Sequence, residues 1–232
     1  MKAWNLFYKQ FITYGGYRSV LNGLLATVEI AVFGLIIGIL IGTVIAVVKV
    51  MPKYKLLPRV LEKICDVYVA FFRGTPMVVQ LLIGYFVLMP ALGIAADGVV
   101  IAITIFGFNS GAYVSEIMRS GIQSVDGGQL EAGRAVGLPY RTAMLKIVIP
   151  QSVKNILPTL GNEFIVLVKE TSVVSFIAVT DVTKAFRAIG DANYEYIIPY
   201  LMLAAVYLIM VLLITYGIKL MERRLKRSER SN

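Results

Sequence analysis

The chain has 232 residues, 58% of them hydrophobic and only 16% charged, with a mean hydropathy of +0.76 and a formal net charge of +9. So low a charged fraction, against roughly a quarter in ordinary soluble domains, excludes a soluble globular enzyme and defines a polytopic membrane protein. One cysteine, Cys65, excludes an intrachain disulfide, and the lack of histidine removes the usual zinc ligand and proton shuttle, so neither metal nor histidine-relay chemistry is expected.

In chain order, residues 1–19 mix aromatics with charges and lack the basic, apolar, small-residue sequence of a cleaved signal, which predicts a retained interfacial segment. The first predicted span, 20–48, carries Gly23, Gly34, Gly38 and Gly42 near helical spacing, as close helix packing requires. A basic loop follows. The second span, 64–89, is interrupted at Arg73 and Pro76 within "FFRGTPMVVQLL"; Gly74 and Pro76 mark a bend whose freed carbonyls need a donor. The third span covers 98–118. A polar stretch from Arg119 to Lys154 separates it from the fourth, 155–180, which holds Glu163, Lys169 and Glu170. The fifth, 196–218, has no charge, and residues 219–232 form a basic tail.

Each apolar run is about the length needed to cross a hydrocarbon core of roughly 30 Å as helix. Five spans place the termini on opposite faces. The 49–63 loop and the 119–154 segment each hold five Lys and Arg and the tail holds six, against five in all on the other side. The positive-inside rule therefore predicts a cytoplasmic C-terminus and an external N-terminus, with the tail's charges anchored at anionic lipid and no role for nucleic acid. One membrane domain, 20–218, accounts for the chain.

The polar stretch reads as a helical hairpin. Residues 129–136 are helix-compatible, Gly137 stands where a C-terminal glycine of positive φ belongs, and Pro139 suits the first turn of a second helix. Ala143, Ile147 and Pro150 fall toward one side of that helix, which predicts that it docks on the membrane domain while the first half faces the cytosol.

Glu131, Ala132 and Gly137, followed by Ile149 and Pro150, resemble the cytoplasmic signature of ATP-binding-cassette importer permeases. Gly133 stands where that signature usually has alanine. "FFRGTPMVVQL", "NSGAYVSEIMRSGIQSVDGGQLEAGRAVGLP" and "GNEFIVLVKETSVVS" are similar to the permeases for polar amino acids. The resemblance implies an all-α membrane protein of the type I importer permease fold, with about five transmembrane helices and a coupling helix within 119–154. Glu131, Ala132, Gly133, Arg134, Gly137, Leu138 and Pro139 are then expected to engage an ATPase. No G-x-x-x-x-G-K-[ST] phosphate cradle is present in the sequence, so ATP and Mg are expected on two separate ATPase subunits. The other implied partners are a second permease chain, identical or similar, an extracellular or periplasmic amino-acid-binding protein, and the lipid of a bacterial plasma membrane. The chain itself is expected to carry no cofactor, metal or catalytic residue.

Ionisable groups at membrane depth are costly and mark candidate sites. Glu163 falls near the midplane of its span and is a candidate partner for a substrate cation; an internal salt bridge with Arg73 or a lysine is the alternative. Asn162 lies beside it. Asn109, Ala112, Tyr113 and Glu116 share one helix face, and Asn109, Ser110, Tyr113 and Glu163 are candidate lining residues for a polar amino acid. Arg73 is a candidate carboxylate partner or a structural donor at the bend, while Lys169, Glu170 and Glu29 suggest pairing or gating. The expected activity is ATP-driven import of a polar amino acid. The Glu163 carboxylate points to arginine, lysine or histidine; glutamine or glutamate, and an autonomous secondary carrier, are the alternatives.

Overall fold

The computed structural model describes residues 2–51 and 54–230, with side chains over 3–51 and 54–225. Pro52 and Lys53 of the basic loop, and the side chains at the end of the basic tail, lie outside the described residues. All regular structure among the described residues is helical.

The interfacial segment forms α1 (Lys2–Tyr8) and a π-helical turn (Lys9–Thr13). Gly15, at φ 75°, then turns the chain into α2 (Gly16–Val50). This helix has 35 residues, about 52 Å at 1.5 Å per residue, more than a bilayer core requires. Its principal partner is α6 (Gly98–Gln123), whose first turn is capped by the Asp97 carboxylate accepting from Val99 N at 2.8 Å. The two helices approach closely because small residues alternate across the seam. A Cβ on Gly38 would stand 2.6 Å from Ser110 Oγ, and one on Gly42 would stand 2.7 Å from Val114 Cγ1, while Ile37 and Ile41 fill the notches at Gly107 and Gly111. Gly34, Gly38 and Gly42 of the spacing read in the sequence thus build the central seam, while Gly23 packs against the backbone at Asp181 and Val182.

Between them, α3 (Leu56–Gly74) and α4 (Met77–Ile83) meet at a 107° bend, continued by a π-helical turn (Gly84–Leu88) and α5 (Met89–Ala91). The bend read at Gly74 and Pro76 is thus a full break, and the pair begins at Leu56, eight residues before the boundary read for the second span. The reason is local: Pro76 has no N–H to donate and holds Thr75 extended, at φ −120° and ψ 146°.

After α6 the chain makes α7 (Gly127–Ala135), α8 (Tyr140–Ala143), a π-helical turn (Met144–Val148) and α9 (Ile149–Glu170). A 3₁₀ turn (Thr171–Ile177) ends at Ala178 with φ 63°, so the fourth helix stops at Glu170, ten residues before the boundary read from apolarity alone. The amphipathic α10 (Val182–Asp191) buries Val182, Ala185, Phe186 and Ile189. Phe186 stacks on Phe11, and Phe11 on Phe7, which ties the N-terminal segment to this end of the bundle. α11 (Ile197–Arg230) runs through the predicted fifth span into the basic tail, which is a helical continuation and not a separate segment.

Among the described residues, α2, α6 and α11 are long and apolar enough to cross a membrane, and the α3–α4 pair makes a fourth crossing if taken together. The fifth expected helix, α9, has 22 residues, about 33 Å and so sufficient in length. Its polarity is tolerated because it packs against α2, α6 and α11. α6 is central, with 61% of its most apolar window buried, whereas that of α11 is 6% buried and faces outward.

Candidate functional site

Two regions hold the predicted site residues: a polar layer inside the bundle and the hairpin beyond its end. In the layer, α2, α6 and α9 meet where Gly38, Ser110 and Glu163 come together. Ser110 Oγ donates to Glu163 Oε1 at 3.1 Å, and both side chains are buried. The Glu163 carboxylate thus meets a hydroxyl and not Arg73. The guanidinium of Arg73 lies over the Tyr113 ring, 5.4 Å from its centroid, a cation–π contact.

The neighbouring Asn109 points elsewhere, since successive helix positions are about 100° apart. Its amide donates to Gln80 Oε1 at 2.9 Å and to Phe72 O at 3.3 Å. Gln80 Nε2 in turn donates to Phe72 O at 2.8 Å, Thr75 O at 3.0 Å and Thr75 Oγ1 at 2.8 Å. The carbonyls freed at the α3–α4 bend are satisfied by these two amides. Gln80, which the sequence reading passed over, is the residue that closes the break; an isolated glutamine in the apolar run four residues after Pro76 was the signal. Asn162, about 100° round α9 from Glu163, is exposed. Asn109, Ser110, Tyr113 and Glu163 are therefore distributed over three polar contacts and do not share one.

Glu116 of the same α6 face belongs to a charged cluster further along the bundle. Its Oε1 accepts from Lys49 Nζ at 2.8 Å and its Oε2 from Arg119 Nη2 at 2.7 Å, and Lys49 also reaches Asp66 Oδ1 at 2.9 Å. Glu29 is exposed on α2, Lys169 is exposed and Glu170 half-buried at the end of α9.

The hairpin is capped at each step. Asp126 accepts from Gly128 N at 2.9 Å to start α7, and Gly137 at φ 89° ends it, with Leu138 N donating to Gly133 O at 3.1 Å and Arg134 Nη1 to Leu138 O at 3.2 Å. Pro139 is the N-cap of α8. Glu131, Ala132, Arg134, Gly137 and Pro139 are exposed, Leu138 is half-buried and Gly133 is buried. Gly133 faces the second limb: a Cβ there would stand 2.8 Å from Ile147 Cδ1 and 3.3 Å from Ala143 Cβ. One face of α7 thus rests on the hairpin while the other is free.

The second limb docks through Ala143 and Val148, with Ser152 and Ile156 continuing the buried line. Pro150 is exposed and Ile147 half-buried. The predicted docking face of Ala143, Ile147 and Pro150 is corrected by the π-helical turn at 144–148. That turn widens the repeat and shifts the buried position one residue on, next to a proline that cannot donate to the ladder.

The fold is thus a helical membrane bundle with a broken helix pair and a capped hairpin whose first helix exposes one face. The chain belongs to the family of binding-protein-dependent transport system inner membrane components, whose family model matches residues 34–227. It is 40% identical over 210 residues to the arginine transport system permease protein ArtQ of Bacillus subtilis (strain 168), covering 90% of this chain and 94% of that one. It is 37% identical over 206 residues to a putative glutamine transport system permease protein GlnP of Rickettsia bellii (strain RML369-C), covering 89% and 92%. The fold matches a crystal structure of an amino acid ABC transporter with histidines at TM-score 0.84 and 37% identity, over 94% of this chain and 98% of that one. It also matches the MetNI methionine ABC transporter at TM-score 0.75 and 17% identity, over 89% and 96%, which extends the likeness in fold alone. The architecture is that of a type I ABC importer permease.

Proposed function

We propose that this chain is the membrane subunit of an ATP-driven importer of polar amino acids, with basic side chains preferred. Two such permease chains, identical or similar, form the path; two separate ATPase subunits carry the ATP and Mg; an external binding protein delivers the substrate. The N-terminus faces outward, and the hairpin and C-terminal helix lie in the cytoplasm, as the distribution of Lys and Arg supports.

The observation that carries the reading is the exposed, doubly capped α7, with Glu131, Ala132 and Arg134 turned away from the bundle on a helix held by Gly133. A short helix so anchored transmits displacement without deforming, which is what a separate ATPase subunit needs in order to drive the bundle. The arginine and glutamine permeases among its relatives support an amino-acid substrate, and the buried Glu163 carboxylate favours a guanidinium or ammonium partner.

Uptake by proteoliposomes containing the chain with its co-purifying ATPase tests this. ATP-dependent uptake of labelled arginine, competed best by lysine and histidine, is expected. Competition led by glutamine or glutamate would keep the importer and overturn the basic preference. Uptake without ATP, driven by an ion gradient, would overturn the importer in favour of a secondary carrier.

A further inference from the structure

We infer that Lys49 is a positioning residue that latches the first half of α3 to the coupling end of the bundle, so that displacement of the hairpin is passed to α3. The inference rests on the importer reading and names a moving part within it.

The N-terminal half of α3 buries little of its side-chain surface. Between Leu56 and Ile64 no residue is buried, and Leu56, Leu57 and Ile64 are 77%, 67% and 60% exposed. Beyond them, α3 is pinned near its bend, where Tyr68 OH donates to Phe108 O and Phe72 O accepts from Asn109 and Gln80. Past that pinned end, Gly74 has open space on its Cβ side, and the chain is non-helical at Thr75 and Pro76. The helix is thus secured by polar contacts at its bend, while its first half lies on the surface of the bundle.

Lys49 supplies a tie between them. Its side chain is 10% exposed and bridges Glu116 on α6 and Asp66 on α3, whose side chains are 20% and 57% exposed. The two bonds differ in kind. Glu116 is held in place by Arg119 through two further hydrogen bonds, at 2.7 and 3.1 Å, so the Lys49–Glu116 pair is a fixed end. Asp66 is largely in solvent, where ion pairs are weak, so the Lys49–Asp66 pair is the end that releases.

The fixed end continues to the hairpin. Arg119 Nη1 donates to Gln123 Oε1 at 2.8 Å, Ser124 Oγ accepts from Asn155 Nδ2 of α9 at 2.9 Å, and Asp126 caps α7. The Lys49 tie to Glu116 thus sits on α6 itself, and α6 runs on to Gln123, with three residues between it and the start of α7 at Gly127, so the chain joins the tied end of α3 to the hairpin through one helix.

The test uses the reconstituted complex of permease and ATPase. Lys49→Gln is expected to lower substrate taken up per ATP hydrolysed roughly fivefold, and Lys49→Arg, which still reaches both carboxylates, to restore it. Uptake and hydrolysis falling in the same proportion, or an unchanged ratio, would overturn the latch while leaving the importer reading intact. Absence of ATP-dependent uptake by the unaltered complex would overturn the importer reading itself. Should Lys49→Gln fail to assemble, spin labels at Lys63 and Ser120, with Cys65 replaced by serine, read the motion directly. Their separation is expected to change by about 5 Å between nucleotide-free and ATP-bound complexes, and a constant separation would overturn the proposal.

Discussion

Ser110 and Glu163 share a hydrogen bond of 3.1 Å at the point where Gly38 lets α2 press against α6. A carboxyl group is thereby held at the crossing of three helices with a hydroxyl as its partner, and the proposed function makes it the group that meets a substrate cation. Replacing Glu163 with Gln keeps the shape and the bond to Ser110 while removing the charge. Arginine and lysine uptake is expected to fall at least tenfold more than glutamine uptake, a difference of about 1.4 kcal/mol. Competition assays with labelled arginine and glutamine on the variant measure it; equal loss for all substrates would assign Glu163 to the α-ammonium group or to packing.

The same crossing makes Gly38 intolerant of a side chain. A Cβ there meets Ser110 Oγ at 2.6 Å and Gly111 N at 3.2 Å, and the backbone cannot give way without parting the helices. Gly38→Ala is expected to cost about 1–3 kcal/mol, seen as a lower midpoint in thermal unfolding of the detergent-solubilised protein. Gly217→Ala in α11, where nothing lies within 4 Å of the added methyl, should instead raise the midpoint slightly, alanine being the better helix former by up to about 1 kcal/mol.

At the α3–α4 break the order of two variants is decided by hydrogen bonding. Gln80→Ala leaves Thr75 O without the Gln80 amide and strips Phe72 O of one of two donors, which should cost about 1–3 kcal/mol. Arg73→Ala loses a cation–π contact on an exposed side chain, about 0.5–1 kcal/mol. Unfolding midpoints of the two variants, measured side by side, check the order; a larger loss from Arg73→Ala would return the structural role to the arginine.

On the hairpin, fold and partner binding should separate cleanly. Glu131→Arg alters an exposed position on α7 and is expected to leave the unfolding midpoint within about 0.5 kcal/mol of the original. Co-purification of the ATPase subunit should be lost. Gly133→Leu should behave in the opposite way, unseating α7 from Ile147 and Ala143 and lowering the midpoint first.

Asp181 offers a test of burial against charge. Its carboxylate accepts from Thr183 N and Lys184 N at 2.9 Å to cap α10, yet burial pushes the carboxyl above its usual range. Each oxygen accepts one N–H, so Asp181→Asn keeps one acceptor and turns an amide NH2 toward the other donor, which should cost about 1 kcal/mol, and Asp181→Ala, which removes both acceptors, should cost about 2 kcal/mol. The raised value also fixes a sign: ionisation is harder in the folded chain, so this group's contribution favours folding more as pH falls through its folded value. Unfolding of the original and of Asp181→Asn at two pH values should show that difference only in the original.

What was legible in the sequence is what local chemistry settles. Long apolar runs can satisfy their backbone in lipid only as helices, so the class followed from composition and run length. The hairpin was readable because Gly137 and Pro139 act on their own backbone, and they stand where a positive φ and a helix start are found. The glycines of α2 announced a close seam, although not with which helix. Tertiary structure decided what depends on rotation and bending. Ser110 and Asn109 are neighbours in sequence, but the turn between them sends one to Glu163 and the other to the break at Phe72 and Gln80. The break itself is 107° because the chain pivots at a proline, and the π-helical turn at 144–148 moves the docking face by one residue. Lys49, Asp66 and Glu116 come from three separate helices, and no periodicity joins them; only the packing of α2, α3 and α6 brings their charges within 3 Å.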